Sequence, residues 1–452
     1  MSRRPTLDAA ARQAILAGIK TNGTDAPAAP PAISFSVPRF EEIEEYLLIQ
    51  AQREFAAAVG IENPFYRPWE VAPPGQLQRH GRNYLNFGCY DYLGLQGHPE
   101  IVAAAAQAAQ HWGVGALASR LTAGERPPHR ALEHELADFH GCEDALVFVS
   151  GHATNVSVIA ALLRPGDLVL YDALAHNSIV FGATASGADR RSFPHNDLDA
   201  LERLLAQVRA GRRRVLIVSE GLFSMDGDSP DLARLIDIKS RYGAWLMLDE
   251  AHSVGVLGTT GRGLVEAQGV SPGDIDILMG TLSKTFVSCG GYVAGSAALI
   301  EILRYHAAGM VYSVGLSPVL TASAHAALGI VRREPERVSR LARLSGRFAA
   351  RAREAGLATG GATAAVQPVI LGDSLTTLLL ADRLLQRGIV AVPIIPPGVP
   401  ANTARLRFFL TCLHDESQID DVVAATAQEL AAVIKGGASL AAFVAAQEGS
   451  TA

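Results

Sequence analysis

Residues 244–255 read AWLMLDEAHSVG, a short apolar run that ends in a carboxylate and is followed three residues later by a histidine. The run is too short and too continuous for an amphipathic helix, which predicts a buried β-strand ending at Asp249. Four similar runs are ALVFVS (145–150), DLVLYD (167–172), RVLIVS (214–219) and DILMG (276–280). Connectors long enough for helices separate most of them, so we predict an α/β fold with a mostly parallel central sheet flanked by helices.

Length and composition limit the function classes. The 452 residues are 49% apolar, which suits one large enzyme domain with a smaller one. A net charge of −6 argues against a nucleic-acid binder. The four cysteines lie far apart without a CxxC pair, so we expect a reducing, cytoplasmic location and neither a disulfide framework nor a metal site. No apolar run approaches the roughly 18 residues of a membrane span, and no signal-peptide core is visible near the N-terminus.

The chain divides into four segments by composition. Residues 1–39 are expected to be an extension and linker, because residues 21–38 are rich in proline, alanine and small polar residues. A helical N-terminal segment (40–98) and the large domain (99–333) follow. Residues 334–452 predict a smaller α+β domain with strands AVQPVIL, IVAVPII and ARLRFFLT and a closing helix near 417–435.

Polar residues follow several of the predicted strands, where ligands of parallel sheets bind. Asp249 is costly after an apolar run unless it is paired, although a turn or N-cap role would also explain it. His252 and His176 each allow an ordinary structural interpretation. Together with Asp249, however, they suggest an anion and a donor for a protonated heteroaromatic ring.

A phosphate-type turn is the next feature. Ser150, Gly151 and His152 lie between a predicted strand and a helix, where small residues let backbone amides approach a phosphate. Glycine for steric reasons alone is the alternative. Ser224 lies in a third post-strand segment, SEGLFSMDGD (219–228), beside a glycine turn.

Lys284 is the only lysine of TLSKTFVSC (281–289), which follows another strand. A desolvated lysine has a lowered pKa and forms a Schiff base with a carbonyl. A surface lysine is the alternative for this residue taken alone. With an aspartate, two histidines and a phosphate-type turn at neighbouring strand ends, the set matches what pyridoxal 5′-phosphate (PLP) requires.

Six motifs in order, over about residues 40–435, resemble the α-oxoamine synthases. These fold-type I PLP-dependent transferases include 8-amino-7-oxononanoate synthase and serine palmitoyltransferase. The motifs are YLNFGCYDYLGLQGHP, SRLTAGERPPHRALEHELADFHG, SEGLFSMDGD, LDEAHSVGVLGTTGRG, GTLSKTFVSCGGYVAG and ARLRFFLT. The resemblance implies decarboxylative condensation of glycine, alanine or serine with an acyl thioester, giving an α-aminoketone, carbon dioxide and a free thiol.

The resemblance also implies roles for individual residues. Lys284 would hold PLP as a Schiff base and then act as the base, while Asp249 would pair with the ring nitrogen. His176 would stack on the ring, and the rest of the cofactor would be bound by Ser150, Gly151, His152, Ser224, His252, Thr281 and Ser283. Arg407, or its near neighbour Arg405, would hold the substrate carboxylate. Tyr312 and Ser313 would reach the cofactor phosphate of the other subunit of a homodimer.

Two departures from the family pattern bear on the substrates. Tyr90 stands where several members carry asparagine, near the amino acid. Glu125, Arg126, Pro127 and Pro128 replace a Gly-Thr or Gly-His pair near the thioester entrance. With the long N-terminal extension, this suggests an acyl carrier protein rather than CoA as the acyl donor. An aminotransferase or aldolase on the same scaffold is the alternative activity, and a non-catalytic paralogue is a further one.

Overall fold

The computed structural model describes residues 37–58, 60–70, 72–396 and 398–436. Most of the predicted N-terminal extension and the last residues of the predicted small domain lie outside these ranges. The chain divides into two compact units, with the boundary in the sequence after Gly60. In the first unit, helix α1 (Glu44–Ala58) follows a short 3₁₀ turn at Phe40–Glu42. Acidic residues in its first turn favour this helix start, as its sequence predicts.

The second unit begins at Ile61 and contains the sheets. Its strands are β1 (Gln76–Arg79), β2 (Arg82–Asn86), β3 (Asp144–Phe148), β4 (Leu168–Asp172), β5 (Asp189–Phe193), β6 (Val215–Glu220), β7 (Trp245–Asp249), β8 (Ile277–Thr281), β9 (Gly291–Gly295), β10 (Val366–Gly372), β11 (Ile389–Val390), β12 (Val392–Ile394) and β13 (Ala404–Phe409). Its helices are α2 (Pro99–Trp112), α3 (Pro127–His140), α4 (Gly151–Leu162), α5 (Asn177–Ser186), α6 (Leu198–Val208), α7 (Leu232–Tyr242), α8 (Leu264–Ala267), α9 (Ala297–His306), α10 (Ala308–Val311), α11 (Pro318–Arg333), α12 (Glu336–Glu354), α13 (Ser374–Gln386) and α14 (Glu416–Lys435).

The largest sheet of the described chain has the strand order β3-β9-β8-β7-β6-β4-β5. Strands β8, β7, β6, β4 and β5 run parallel, and β9 is antiparallel to both of its neighbours. The prediction of a mostly parallel sheet is therefore confirmed, with all five apolar runs forming strands. The edge strand β5 was not predicted, because its sequence DRRSF is polar and its two arginines are exposed. Charged side chains of this kind protect a sheet edge from further pairing.

Alternate residues of each strand enter cores on opposite faces of the sheet. In β7, Leu246 and Leu248 belong to one hydrophobic cluster and Met247 to the other. In β6, Ile217 and Val218 divide in the same way. Helices cover both faces, which explains why the strands read as continuous apolar runs rather than as alternating ones.

The C-terminal region forms an antiparallel sheet of order β10-β13-β12. The prediction of one continuous strand over IVAVPII was wrong, because this segment forms two separate strands. Ile389–Val390 pairs with β2, whereas Val392–Ile394 pairs with β13 in the other sheet. Pro393 and Pro368 are accommodated because β12 and β10 are edge strands, where the amide that proline lacks need not pair.

We also examined the helices for membrane spans. None of those in the described ranges combines the length and the apolar character needed to cross a bilayer.

Candidate active site

A small cavity lies at the carboxyl ends of the central strands. Strands β6, β7 and β8 contribute their last residues, and α4 contributes its first turn. The predicted site residues that line it are Gly151, His152, His176, Asp249, His252, Thr281 and Lys284. Residues from four separate segments thus meet where the parallel-sheet rule expects a ligand.

Asp249 is buried at the end of β7 and has fixed partners. One carboxylate oxygen accepts a hydrogen bond from Nδ2 of Asn155 at 2.7 Å, and the other accepts one from the backbone amide of Ala251 at 2.9 Å. Both carboxylate oxygens therefore act as acceptors. An anion is thereby held beside the cavity.

Lys284 lies three residues beyond β8, at the start of a turn. The turn is closed by a hydrogen bond from the Val287 amide to the Lys284 carbonyl at 2.9 Å. Burial lowers the pKa of its ammonium to about 8, against the opposing attraction of Asp249 and Glu220. Nζ lies 5.7 Å from the centre of the Tyr90 ring. A lysine with such a pKa supplies an uncharged amine near neutral pH much more readily than a surface lysine does.

His176 is the N-cap of α5, and its backbone amide donates to Oε1 of Glu220 at 2.5 Å. Its Nδ1 is hydrogen-bonded to Ser178 Oγ at 2.7 Å, which fixes the ring orientation. Burial lowers the pKa of His176 despite the nearby Asp249, so the neutral ring is favoured. A neutral aromatic face at a cavity wall suits stacking on a heteroaromatic ring.

His252 is held by two aromatic neighbours. The hydroxyl of Tyr92 lies 2.8 Å from Nδ1, and the Phe409 ring is nearly parallel to the imidazole. Burial and the charge of Lys284 lower the pKa of His252 well below its usual range. If Tyr92 donates to Nδ1, the ring carries its proton on Nε2 and has it available as a donor.

The start of α4 forms part of the cavity wall. Ser150 is its N-cap and accepts from the Ala153 amide at 3.0 Å. A Cβ on Gly151 would lie 3.0 Å from Thr281 Oγ1, so glycine allows the close approach of α4 and β8. Thr281 Oγ1 also lies 2.8 Å from the hydroxyl of Ser283. Backbone amides and hydroxyls at a helix start form a suitable phosphate site.

The two candidate arginines of β13 have different environments. Arg405 is paired with Asp226 at 2.7 Å and also donates to the carbonyl of Met225. Arg407 donates to the carbonyl of Ser224 at 2.9 Å, but its buried Nε has no partner within the described residues. Burial lowers the pKa of Arg407. The positive charge of Arg407 in turn helps to lower the pKa of Lys284. Arg407 is therefore the arginine with free hydrogen-bonding capacity near the lysine.

Lys284 also lines a second, larger cavity. Tyr90, Trp69 and Val287 contribute to its wall, and Tyr90 packs edge-on against His252 at 5.7 Å. Lys284 thus lines two spaces, the smaller of which also contains Asp249 in its wall.

Eight predicted residues do not line the smaller cavity, namely Tyr90, Ser150, Ser224, Ser283, Tyr312, Ser313, Arg405 and Arg407. Ser224 presents its carbonyl to Arg407 from the loop after β6. Tyr312 and Ser313 follow α10, and the Tyr312 side chain is 87% exposed. Within one subunit, the tyrosine side chain is therefore open to solvent.

Sequence reasoning missed five lining residues, of which Glu220 and Asn155 have polar side chains that contact other site residues. Glu220 ends β6 next to Asp249 in register, and burial together with that carboxylate raises its pKa well above the usual value. The signal for Glu220 was present, because the run VLIVSE ends in an acid as the next strand does. Asn155 lies inside α4, where no spacing pattern distinguishes it.

Comparisons with known proteins give the same fold and a family. The model of the aminotransferase class I and II family matches residues 82–425. The 8-amino-7-oxononanoate synthase of Geobacter sulfurreducens is 43% identical over 373 residues, covering 81% of this chain and 95% of that protein. That of Methylorubrum populi is 42% identical over 356 residues, covering 79% and 88%. Serine palmitoyltransferase from S. paucimobilis, solved with PLP and myriocin bound, superposes with a TM-score of 0.82 at 29% identity and covers 86% of this chain and 98% of that one.

The fold and site define a fold-type I PLP enzyme. The chain belongs to the aminotransferase class I and II family, and within it to the α-oxoamine synthases, which are acyltransferases with PLP as cofactor.

The residues present fit that cofactor. An amine at Lys284, an ionised Asp249 and the amides at the start of α4 lie around one cavity. The Oδ1 atom of buried Asn155 has no partner within the described chain, which leaves an acceptor available to a bound group.

Proposed function

We propose that this chain condenses glycine, alanine or serine with an acyl thioester, releasing carbon dioxide and the free thiol and forming an α-aminoketone. The observation that carries the proposal is the position of Lys284 between two cavities, with Asp249 facing the smaller one. When bound, PLP supplies an electron sink for the carbanion chemistry at the amino-acid Cα.

Each polar residue then has a defined task. Lys284 holds the cofactor covalently and, once its amine is free, removes the Cα proton. Its pKa of about 8 suits a group that takes up and returns a proton near neutral pH. Asp249 holds a proton on the ring nitrogen, since an anion stabilises the cationic form of its partner.

The remaining residues orient the reacting groups. His176 would stack on one face of the cofactor ring. His252 and Ser224 would form hydrogen bonds near the ring hydroxyl. The phosphate is held by the turn of Ser150, Gly151 and His152 together with Thr281 and Ser283. Of these residues, Gly151, His152, His176, His252 and Thr281 line the smaller cavity, whereas Ser150, Ser224 and Ser283 do not.

Arg407 holds the amino-acid carboxylate. Its unpaired Nε supports this choice over Arg405, which is already paired with Asp226. A guanidinium binds a carboxylate through two parallel hydrogen bonds, which orients the bond that breaks on loss of carbon dioxide. Tyr90 lies beside Lys284 and would contact the amino-acid side chain.

The enzyme functions as a homodimer. Exposed apolar side chains occur on two neighbouring segments, with Val114 and Leu117 on one and Tyr312 and Val314 on the other. The segments are joined by a hydrogen bond from the Gly315 amide to the Ala118 carbonyl at 2.9 Å. Contiguous exposed apolar surface is typical of an interface. In the dimer, Tyr312 and Ser313 would reach the partner's cofactor phosphate.

The acyl donor is an acyl carrier protein rather than CoA. Glu70 and Asp91 line the larger cavity, and among the described residues Lys284 is its only lysine or arginine. This wall offers the phosphates of CoA little counter-charge. Equal turnover with an acyl-CoA and the matching acyl carrier protein would contradict this choice.

A cytoplasmic location of the enzyme stays a prediction.

Amino-acid binding tests the proposal directly. Addition of glycine, L-alanine or L-serine to the purified holoenzyme should change the visible cofactor spectrum. A following set of acyl thioesters should then give an α-aminoketone with carbon dioxide release. Amino-group exchange with a keto acid and no carbon dioxide would instead indicate an aminotransferase.

A further inference from the structure

The loop after β6 forms a tight turn between Phe223 and Asp228, which we call the 223–228 turn. It is closed by backbone hydrogen bonds from Phe223 to Asp228 and from Gly227 to Phe223, both at 2.9 Å. Gly227 has a φ of 70°, and a Cβ there would lie 2.2 Å from the Val366 carbonyl oxygen. The turn is therefore packed directly against β10 of the C-terminal sheet.

On that side, both arginines of β13 bind the turn. Arg405 donates to the carboxylate of Asp226 at 2.7 Å and to the carbonyl of Met225 at 3.0 Å. Arg407 donates to the carbonyl of Ser224 at 2.9 Å. Since Arg407 Nη1 is attached to this backbone, a displacement of the turn would displace the guanidinium.

On the opposite side, the turn is held by His195. Its Nδ1 lies 2.9 Å from Asp172 at the end of β4, and its Nε2 lies 2.9 Å from Asp228. Asn196 connects the same two carboxylates, with its backbone amide 2.8 Å from Asp172 and its Nδ2 2.9 Å from Asp228. Phe223 packs edge-on against the histidine at 4.5 Å.

We propose that His195 is a positioning residue that, as a cation between Asp172 and Asp228, fixes the 223–228 turn and thereby places Arg407 for the substrate carboxylate. The inference rests on the role proposed above for Arg407. His195 itself touches neither the smaller nor the larger cavity.

The charge state of His195 follows from its contacts. Two carboxylates facing both ring nitrogens require two N–H donors, which only the protonated ring has. Burial opposes this charge, but the hydrogen bonds to Asp172 and Asp228 outweigh it and raise the pKa of His195 to about 10. Charge-assisted hydrogen bonds of this kind are stronger than neutral ones, which suits a fixed connection between a strand end and a turn.

The test compares H195Q with wild type as holoenzymes. The readout is the dissociation constant of glycine, L-alanine or L-serine, whichever changes the visible cofactor spectrum most, together with cofactor content and thermal midpoint. We expect H195Q to weaken amino-acid binding roughly tenfold, within the range of coupling between neighbouring residues, while cofactor content stays unchanged. D228N provides a second variant, because Asp228 is partly exposed and its loss leaves the Asp172 contact in place.

A control and a double variant separate positioning from general destabilisation. K239Q removes the Lys239–Asp276 ion pair near the amino ends of β7 and β8 and should lower stability without changing amino-acid affinity. In an R407Q background, H195Q should cause no further loss of affinity.

Three results would overturn the inference. The first is wild-type affinity in both H195Q and D228N while R407Q binds weakly, which leaves the role of Arg407 intact. The second is an additive loss in the double variant. The third is wild-type affinity in R407Q, which would overturn the proposed role of Arg407 as well.

Discussion

Glu220 and Asp249 are paired in register at the ends of two adjacent parallel strands, so that two carboxyl groups lie side by side in one cavity wall. They have opposite protonation preferences. Asp249 receives hydrogen bonds on both oxygens. Burial first and the neighbouring Asp249 second raise the pKa of Glu220 well above its usual value. One anion and one neutral acid are therefore the favoured combination, as in other close carboxylate pairs.

This pair predicts different outcomes for two isosteric amides. E220Q mimics the neutral acid and should keep most activity at pH 7, whereas D249N should lower kcat strongly because the ring nitrogen loses its anion. Steady-state kinetics of the two variants with one amino acid and one thioester measure the difference. Equal losses in both would show that Glu220 functions as an anion.

The same pair predicts a pH dependence of stability. The raised pKa of Glu220 means that the folded state holds a proton that the unfolded state releases above its ordinary pKa. This contribution to stability is complete at low pH and declines as the pH rises. The thermal midpoint of E220Q relative to wild type should therefore increase with pH, and a constant difference would contradict the assignment.

Replacement of Lys284 is the next prediction. K284A should lose the visible cofactor absorption of the purified enzyme and lower kcat by at least about a hundredfold, since general acid–base catalysis alone contributes about 10²–10⁴. K239A is the matched control, because Lys239 is ion-paired with Asp276 and lines neither cavity. Near-normal turnover in K284A would overturn the mechanism.

The two arginines of β13 give a matched pair of variants. R407Q should raise the amino-acid dissociation constant by about thirtyfold or more, since truncating one partner of a buried charge pair costs about 2–5 kcal/mol. R405Q should have a smaller effect, because Arg405 is already bound by Asp226. Titration of the cofactor spectrum with amino acid measures both. A larger effect in R405Q would reverse the assignment.

Dimer formation can be tested at the exposed apolar surface. L117D and Y312E should shift the protein toward the monomer and lower activity, because each introduces a charge at the proposed interface. I434D is the control, since Ile434 is also exposed but lies on α14. Light scattering coupled to size-exclusion chromatography measures the mass. A wild-type dimer in both variants would place the interface elsewhere.

His195 gives a second pH prediction. Its pKa of about 10 lies above the ordinary value of 6.5, so its contribution to stability is complete below pH 6.5 and is lost as the pH rises through 10. H195Q should remove this part of the pH dependence. Thermal midpoints of both proteins measured across that range should converge at high pH.

Much of the fold followed from short, continuous apolar runs, because burial on both faces leaves a strand little room for polar residues. β5 escaped prediction, since an edge strand can be as polar as DRRSF. The break between β11 and β12 depends on pairing with two different sheets, which local sequence does not encode.

Candidate site residues stood out in the sequence where a reactive side chain follows a strand end, as for Asp249 and Lys284, and both of these line the smaller cavity. The sequence did not indicate which of Arg405 and Arg407 has free hydrogen-bonding capacity, because both lie on one face of β13. The ion pair that distinguishes Arg405 is formed with Asp226, which is distant in sequence. His195 lacked any local signal for the same reason, since its partners lie 23 and 33 residues away.

The place of Lys284 between two cavities has a practical consequence for turnover. Because Lys284 lines both cavities and Asp249 only the smaller one, substrates and products can enter and leave through the larger cavity while the cofactor stays in the smaller one. One cofactor molecule would then serve many catalytic cycles, and dialysis after extended turnover should leave its stoichiometry to protein unchanged.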